Sequence, residues 1–245
     1  MIDFAISRYA SLRYRERDSN YQTSDAITGR SIIDPSSERL TVLFPPWHGG
    51  GFVYGALARR LKDNGSSVLS YTFHGDVLQP DVDTVLQSFT YIKDTITEDI
   101  DELNREHRYD AVDLVATSLG NVSLALVASE YGEFRNATMI VPGSNLARCM
   151  WEGSRTQDIR QQFEAQGLAV EDLDSSWDIL APKQYAEVFA DKNVKIHISD
   201  SDTVIPAGFQ QEMAVALREN AANLDLKTSQ HGHVANILKY CLSDK

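Results

Sequence analysis

From residue 40 onward, short apolar runs alternate with stretches of helical periodicity, and this alternation constrains the fold more than any other feature of the chain. The candidate strands are 40–44, 67–73, 111–116, 137–141, 194–198 and 224–226. Between them, the stretches 52–61 and 83–105 place apolar residues three or four positions apart, which predicts helices. Strands that alternate with helices pair in parallel through right-handed crossovers. The sequence therefore predicts an α/β fold with a mostly parallel central sheet and helices on both faces.

Two segments depart from this alternation. Residues 144–182 are longer than one crossover needs, and the helical patterns at 155–166 and 183–191 lie in or next to them. We interpret 144–182 as a small helical cap or lid inserted into a single domain that spans residues 1–245. Near the start of the chain, the weak alternation at 9–17 predicts an antiparallel edge strand.

Composition excludes several classes of partner. The 245 residues carry a net charge of −12, which argues against nucleic acid and slightly disfavours anionic substrates. Cys149 and Cys241 provide no disulfide framework, as expected in a reducing cytoplasm. No signal-peptide pattern opens the chain and no run approaches 18 apolar residues, so we expect a cytoplasmic protein that does not span a membrane. The oligomeric state stays open.

The run 111–122 places Ser118 where an apolar strand turns into a helix. Such a turn exposes the side chain at its apex and directs the backbone N–H groups of the new helix toward whatever that side chain attacks. Ser118 is therefore a candidate nucleophile. A serine hydroxyl needs a base to accept its proton, an acid to orient that base, and donors for the oxyanion that forms.

Three other motifs offer these groups. Residues 47–52, Trp-His-Gly-Gly-Gly-Phe, follow a strand and precede a helix; consecutive glycines allow close backbone approach to a substrate. Residues 198–206 form an acidic loop after a strand, and residues 229–235 contain two histidines after the last candidate strand. We expect neither a metal nor a cofactor, because His231 and His233 lack further ligands nearby and no P-loop or dinucleotide fingerprint is present.

With these four motifs in this order, residues 40–240 resemble the α/β-hydrolase superfamily. The resemblance implies that Ser118 is the nucleophile, that Asp202, four residues before Pro206, is the acid, and that His233 is the base. Asp200 and His231 remain the alternatives for the acid and the base. The sequence departs from the family at Ala116, where the G-x-S-x-G pattern has its first glycine, and mildly at Ser199.

The resemblance also implies the surroundings of the nucleophile. The oxyanion would be bound by the backbone N–H of Leu119 and by that of Gly49 or Gly50. The residues that we expect around the substrate, besides the 144–182 segment, are Trp47, Phe52, His74 and Trp151.

These features favour a serine hydrolase that cleaves a small carboxylic ester or thioester through an acyl-enzyme. The same residues could instead transfer the acyl group to another acceptor or cleave a carbon–carbon bond. A third alternative is a binding protein that retains the fold without catalysis, for which a serine more than about 4 Å from any histidine would be evidence.

Overall fold

The computed structural model describes residues 20–34, 36–49, 51–221 and 223–242. Within these ranges, seven strands form one sheet: β1 (Ile27–Ile33), β2 (Arg39–Phe44), β3 (Ser67–Phe73), β4 (Ala111–Thr117), β5 (Asn136–Ile140), β6 (Asn193–Ser199) and β7 (Asn223–Ser229). Their order across the sheet is β1-β3-β2-β4-β5-β6-β7. Only β1 runs antiparallel to its neighbour, so the predicted mostly parallel sheet is confirmed.

Within the described ranges, the α-helices are α1 (Gly51–Asp63), α2 (Val82–His107), α3 (Gly120–Tyr131), α4 (Leu146–Glu152), α5 (Gln157–Ala165), α6 (Val170–Ser176), α7 (Ala207–Asn220) and α8 (His233–Leu242). Short 3₁₀ segments lie at Thr23–Asp25, Gly75–Val77, Asp178–Leu180 and Pro182–Phe189. None of these helices is both long enough and apolar enough to cross a membrane.

Helices cover both faces of the sheet. On one face, α1 and α8 pack together over Leu43 of β2 and Val115 of β4. On the other face, α2, α3 and α7 cover the alternate residues of the same strands. Residues 120–128 of α3 are all buried, so this mostly apolar helix is covered on every side rather than along one stripe.

The predicted strands and helices agree with the structure to within a few residues, and the differences lie at the margins. The antiparallel edge strand is β1, which was not predicted, whereas the candidate at 9–17 lies outside the described residues. In the 144–182 segment, the helix predicted at 155–166 is α5, but the short helices α4 and α6 were not predicted. The helix predicted at 183–191 is a 3₁₀ segment instead.

The sheet order brings the candidate site residues to one edge. The chain passes from β2 to β3 on one side and then crosses back to β4 on the other, so the strand order reverses at β2. Ligands of open α/β sheets bind outside the carboxyl ends of the strands at such a reversal. The loops that follow β2 and β4 flank this point, and the loops after β6 and β7 lie along the same edge.

His197, in the middle of β6, is expected to make stability depend on pH. Burial, and secondarily Lys227 and Lys195, lower the pKa of His197 to about 4, and its Nε2 atom is buried without a hydrogen-bond partner in the described structure. Between the ordinary histidine pKa of about 6.5 and the lowered pKa, His197 binds a proton in the unfolded chain but not in the folded one. Stability should therefore fall as the pH drops from about 6.5 toward 4.

The test compares melting temperatures at pH 7 and pH 5. We expect a smaller difference for His197→Gln than for the wild type, and an unchanged difference for the control His107→Gln at the exposed end of α2. Equal pH dependence in wild type and His197→Gln would contradict this assignment.

Candidate active site

Ser118 lies at the apex of a tight turn between β4 and α3. Its φ of 52° is in the left-handed region, which non-glycine residues enter at a cost of about 1–3 kcal/mol. Hydrogen bonds hold it there on both sides: its N–H donates to Ile140 O at 2.9 Å, and its carbonyl accepts from Asn121 N at 3.0 Å. The predicted strand–turn–helix is therefore present, with the serine in a strained backbone conformation.

Gly120, the first residue of α3, explains why the turn is so tight. A Cβ atom added there would lie 2.4 Å from Phe44 O and 2.5 Å from Pro45 O, distances at which backbone would have to move. Ala116, where the family pattern has glycine, is fully buried in β4 beside Phe44 and Met139 of the neighbouring strands. The position without room for a methyl group is thus Gly120.

Asn121 ties this turn to the neighbouring strand, a role that the sequence analysis missed. Its buried side-chain amide donates to Ser118 O at 2.9 Å and to Ile140 O at 3.2 Å. The available signal was a polar side chain in the first turn of an otherwise apolar helix.

The structure brings Ser118, His233 and Asp202 together. Nε2 of His233 lies 2.9 Å from Ser118 Oγ, and its Nδ1 lies 2.7 Å from Asp202 Oδ2. All three residues are buried. A carboxylate only accepts hydrogen bonds, so the Nδ1 proton points at Asp202 and the Nε2 lone pair faces the serine hydroxyl. In this arrangement His233 can take a proton from Ser118.

The two alternative residues lie elsewhere. His231 is exposed, and its carbonyl accepts hydrogen bonds from Ser199 Oγ and Asn236 Nδ2. Asp200 is also exposed, and its carboxylate accepts from the side-chain amide of Gln230 at 2.9 Å. Neither side chain reaches the serine–histidine pair.

Besides His233, three donors that were not predicted from the sequence hold the Asp202 carboxylate. Its Oδ1 accepts from the N–H groups of Val204 at 2.8 Å and Ile205 at 3.1 Å. Its Oδ2 accepts from Nε2 of Gln210, 2.9 Å away. Gln210 is fully buried in α7 and is itself fixed by Ser199 N and Ile205 O. An uncharged side chain within an amphipathic helix gives no sequence signal for this role.

The glycine-rich loop after β2 differs from expectation. The Gly49 N–H donates to Pro46 O at 2.9 Å and closes a turn, so it does not point at a substrate. The expectation that Gly49 supplies an oxyanion donor therefore does not fit the geometry, and Gly50 lies outside the described residues. The backbone N–H groups of Leu119 and Trp47 make no hydrogen bond with any described residue.

A pocket that is open to solvent lies next to Ser118. Its lining is largely apolar and includes Trp47, Leu78, Leu119, Val122, Leu146, Met150 and Ile205. Of the other residues expected around the substrate, Phe52 is an exposed residue of α1, and His74 accepts a hydrogen bond from Asp76 N at 3.1 Å. The ring of Trp151 lies 5.3 Å from the Arg160 guanidinium. Phe52, His74 and Trp151 do not line this pocket.

Comparison with known proteins identifies the fold, but it finds no matching family. No protein-family model and no curated protein matches the sequence. Among solved structures, the esterase Pf2001 of Pyrococcus furiosus aligns with a TM-score of 0.61 at 15% identity, over 85% of this chain and 77% of that one. Est1E of Butyrivibrio proteoclasticus, solved with ferulic acid, aligns with a TM-score of 0.60 at 14% identity, over 87% and 92%. The chain has the α/β-hydrolase fold.

A third similar structure is the monoacylglycerol lipase of Paleococcus ferrophilus, with a TM-score of 0.53 at 12% identity over 89% of this chain and 99% of that one. In the α/β-hydrolase fold the nucleophile, acid and base follow the chain order serine, aspartate or glutamate, histidine. Ser118, Asp202 and His233 occur in that order. No cluster of three metal-ligating side chains is found in the described part of the chain.

The contact at Gly120 leads to a test of the turn. We expect Gly120→Ala to lower the free energy of unfolding by about 1–3 kcal/mol, because the added methyl group overlaps two backbone carbonyl oxygens. Urea unfolding measures the loss. The matched control is Gly208→Ala in α7, where an added Cβ meets nothing within 4 Å and stability should hold or rise. Equal stability of Gly120→Ala and wild type would contradict the steric account.

Proposed function

We propose that this protein is a serine hydrolase that cleaves a small carboxylic ester or thioester through an acyl-enzyme on Ser118. The observation that carries the proposal is the buried, hydrogen-bonded series Ser118–His233–Asp202 beside an apolar pocket. The esterases and lipases among the similar structures support an ester as the bond that is cleaved. The 2.9 Å contact between serine and histidine favours catalysis over a binding role alone.

In the first half-reaction, Ser118 Oγ attacks the substrate carbonyl carbon while His233 Nε2 accepts the hydroxyl proton. The tetrahedral intermediate collapses, the bond to the leaving oxygen or sulfur breaks, and His233 returns the proton to the leaving group. In the second half-reaction, a water molecule attacks the acyl-enzyme with His233 again as the base. The carboxylic acid leaves, and Ser118 regains its proton.

Asp202 holds the imidazole in the tautomer that this cycle needs and stabilises the imidazolium that forms. Gln210, Val204 and Ile205 keep the carboxylate aimed at Nδ1 by filling its other acceptor positions. We assign Gln210 a positioning role, because it acts on the reaction only through Asp202.

For the oxyanion we propose the backbone N–H groups of Leu119 and Trp47. Leu119 directly follows the nucleophile at the start of α3, and Trp47 lines the same pocket as Ser118. Trp47 is held in place by its indole N–H, which donates to Gly75 O at 2.7 Å. A single donor of this kind stabilises the transition state by about 3–4 kcal/mol in other serine hydrolases. Trp47 thereby replaces Gly49, whose N–H is used in the turn.

We also propose that residues 144–182 act as the cap over this site. Leu146, Met150 and Thr156 from this segment line the pocket together with Ser118. A cap of this kind excludes water from the acyl group and sets the shape of the chain that fits.

The covalent step is tested by labelling with a fluorophosphonate probe. We expect the wild type to label and Ser118→Ala to remain unlabelled, with ester hydrolysis reduced at least about 10³-fold because no other side chain replaces the nucleophile. Absence of labelling in the wild type, or equal labelling of both proteins, would contradict the proposal. Product analysis with added alcohols separates hydrolysis from acyl transfer.

The role of Gln210 is tested by the pH profile of kcat/KM. In Gln210→Met the Asp202 carboxylate loses a donor and holds the protonated imidazole more strongly, so the acid limb should move to higher pH. We expect kcat/KM to fall about tenfold, as for the loss of one hydrogen bond to a charged group. Gln211→Met is the matched control, since the amide of Gln211 reaches only Asp200, at 3.5 Å. A wild-type profile in Gln210→Met would contradict the positioning role.

A further inference from the structure

One residue of the pocket lining is charged, which is not expected in an apolar site for an acyl chain. Arg155 is the one charged side chain among the described residues that line the pocket of Ser118. It is exposed to solvent, which places it toward the mouth of the pocket. Among the described residues it makes no ion pair within 4 Å and no side-chain hydrogen bond.

The other polar side chains of the lining are already satisfied by the protein. Thr156 Oγ1 donates to Met150 O at 2.5 Å. The Asn145 amide donates to Asp174 at 2.5 Å and accepts from Arg148 N at 3.0 Å. Apart from the Ser118 hydroxyl and the buried Cys149 thiol, the guanidinium of Arg155 therefore carries the polar side-chain atoms of the described lining that are left for a ligand.

The contrast with neighbouring arginines is informative. Arg148, in α4, makes two hydrogen bonds to Asp174, and Arg160, in α5, pairs with Glu164 at 2.9 Å. Both are held by acids of the same segment. Arg155 lies between them in sequence, in a protein with 35 acidic and 23 basic residues, yet no acid in the described part of the chain pairs with it.

The backbone around Arg155 is fixed relative to the catalytic acid. Ser154 N donates to Thr203 O at 2.8 Å, and a Cβ added to Gly153 would lie 2.6 Å from Val204 O. The turn that carries Arg155 thus packs directly on the loop that follows Asp202. The base of the side chain is therefore held at a constant position relative to Ser118 and His233.

We propose that the substrate carries an anionic oxygen group, which Arg155 binds at the mouth of the pocket while the ester carbonyl meets Ser118. A guanidinium matches the geometry of carboxylate and phosphate oxygens and binds them in paired hydrogen bonds. The net charge of −12 does not oppose this, because exposed charges beyond about 8 Å are screened at physiological salt. The inference rests on the proposed hydrolase function and narrows its substrate class.

The experiment uses two matched ester pairs. In the first, p-nitrophenyl hexanoate is compared with the mono-p-nitrophenyl ester of adipic acid, which places a carboxylate on the acyl side. In the second, the hexanoyl ester of 4-hydroxybenzamide is compared with that of 4-hydroxybenzoate, which places it on the leaving group. The ratio of kcat/KM, anionic over neutral, is measured for wild type, Arg155→Gln, Arg155→Lys and the control Arg218→Gln, whose side chain lies on α7 outside the pocket lining.

We expect the ratio within one pair to fall by on the order of tenfold in Arg155→Gln, to fall less in Arg155→Lys, and to stay at the wild-type value in Arg218→Gln. The pair that responds identifies the side of the ester that carries the charge. Ratios that are equal in wild type and Arg155→Gln for both pairs would overturn the assignment. Failure of the wild type to cleave any of the four esters would instead count against the proposed function, and this inference would fall with it.

Discussion

The arrangement depends on one close approach, between the start of α3 and the end of β2. Gly120 faces the carbonyl oxygens of Phe44 and Pro45 so closely that no side chain fits. The chain must therefore turn within two residues after β4, and Ser118 takes the positive φ of 52° that makes this possible. Backbone strain at the serine is balanced by hydrogen bonds to Ile140 and from Asn121. The Ser118 hydroxyl at the apex, and a Leu119 N–H that no described residue accepts, both follow from that turn.

Asp202 and His233 lie beside this turn because most strands of the sheet are parallel. β4, β6 and β7 all end at the same edge, so the loops after β6 and β7 bring Asp202 and His233 to Ser118 from 84 and 115 residues away in sequence. The positions of Asp202 and His233 then depend on local contacts. Gln210 and two backbone N–H groups hold the carboxylate of Asp202. The imidazole is the side chain of His233, the first residue of α8. A small error at either loop would break the 2.7 Å and 2.9 Å contacts.

The parts of the fold that follow from local pattern could be predicted from the sequence. Buried parallel strands are continuous apolar runs, and the long helix α2 repeats its apolar residues with helical spacing, so both were found. β1 was missed because its alternation is weak: four of its seven residues are exposed and none is buried. Gly49 was misjudged because the use of its N–H in a turn depends on backbone geometry rather than residue type. Gln210 and Arg155 were missed because their roles depend on contacts between residues far apart in sequence. Gln210 binds Asp202 only in the folded chain, and Arg155 lines the pocket of Ser118 only there.

We propose that Ser118 carries the acyl group during turnover, and this step can be observed directly. Its most direct test is mass spectrometry of the wild-type protein quenched in acid during hydrolysis of p-nitrophenyl hexanoate. We expect a hexanoyl adduct on the peptide that contains Ser118, formed with the first release of p-nitrophenol and lost once the substrate is consumed. A hexanoyl group found on any other side chain, or product formation with that peptide unmodified throughout, would contradict it.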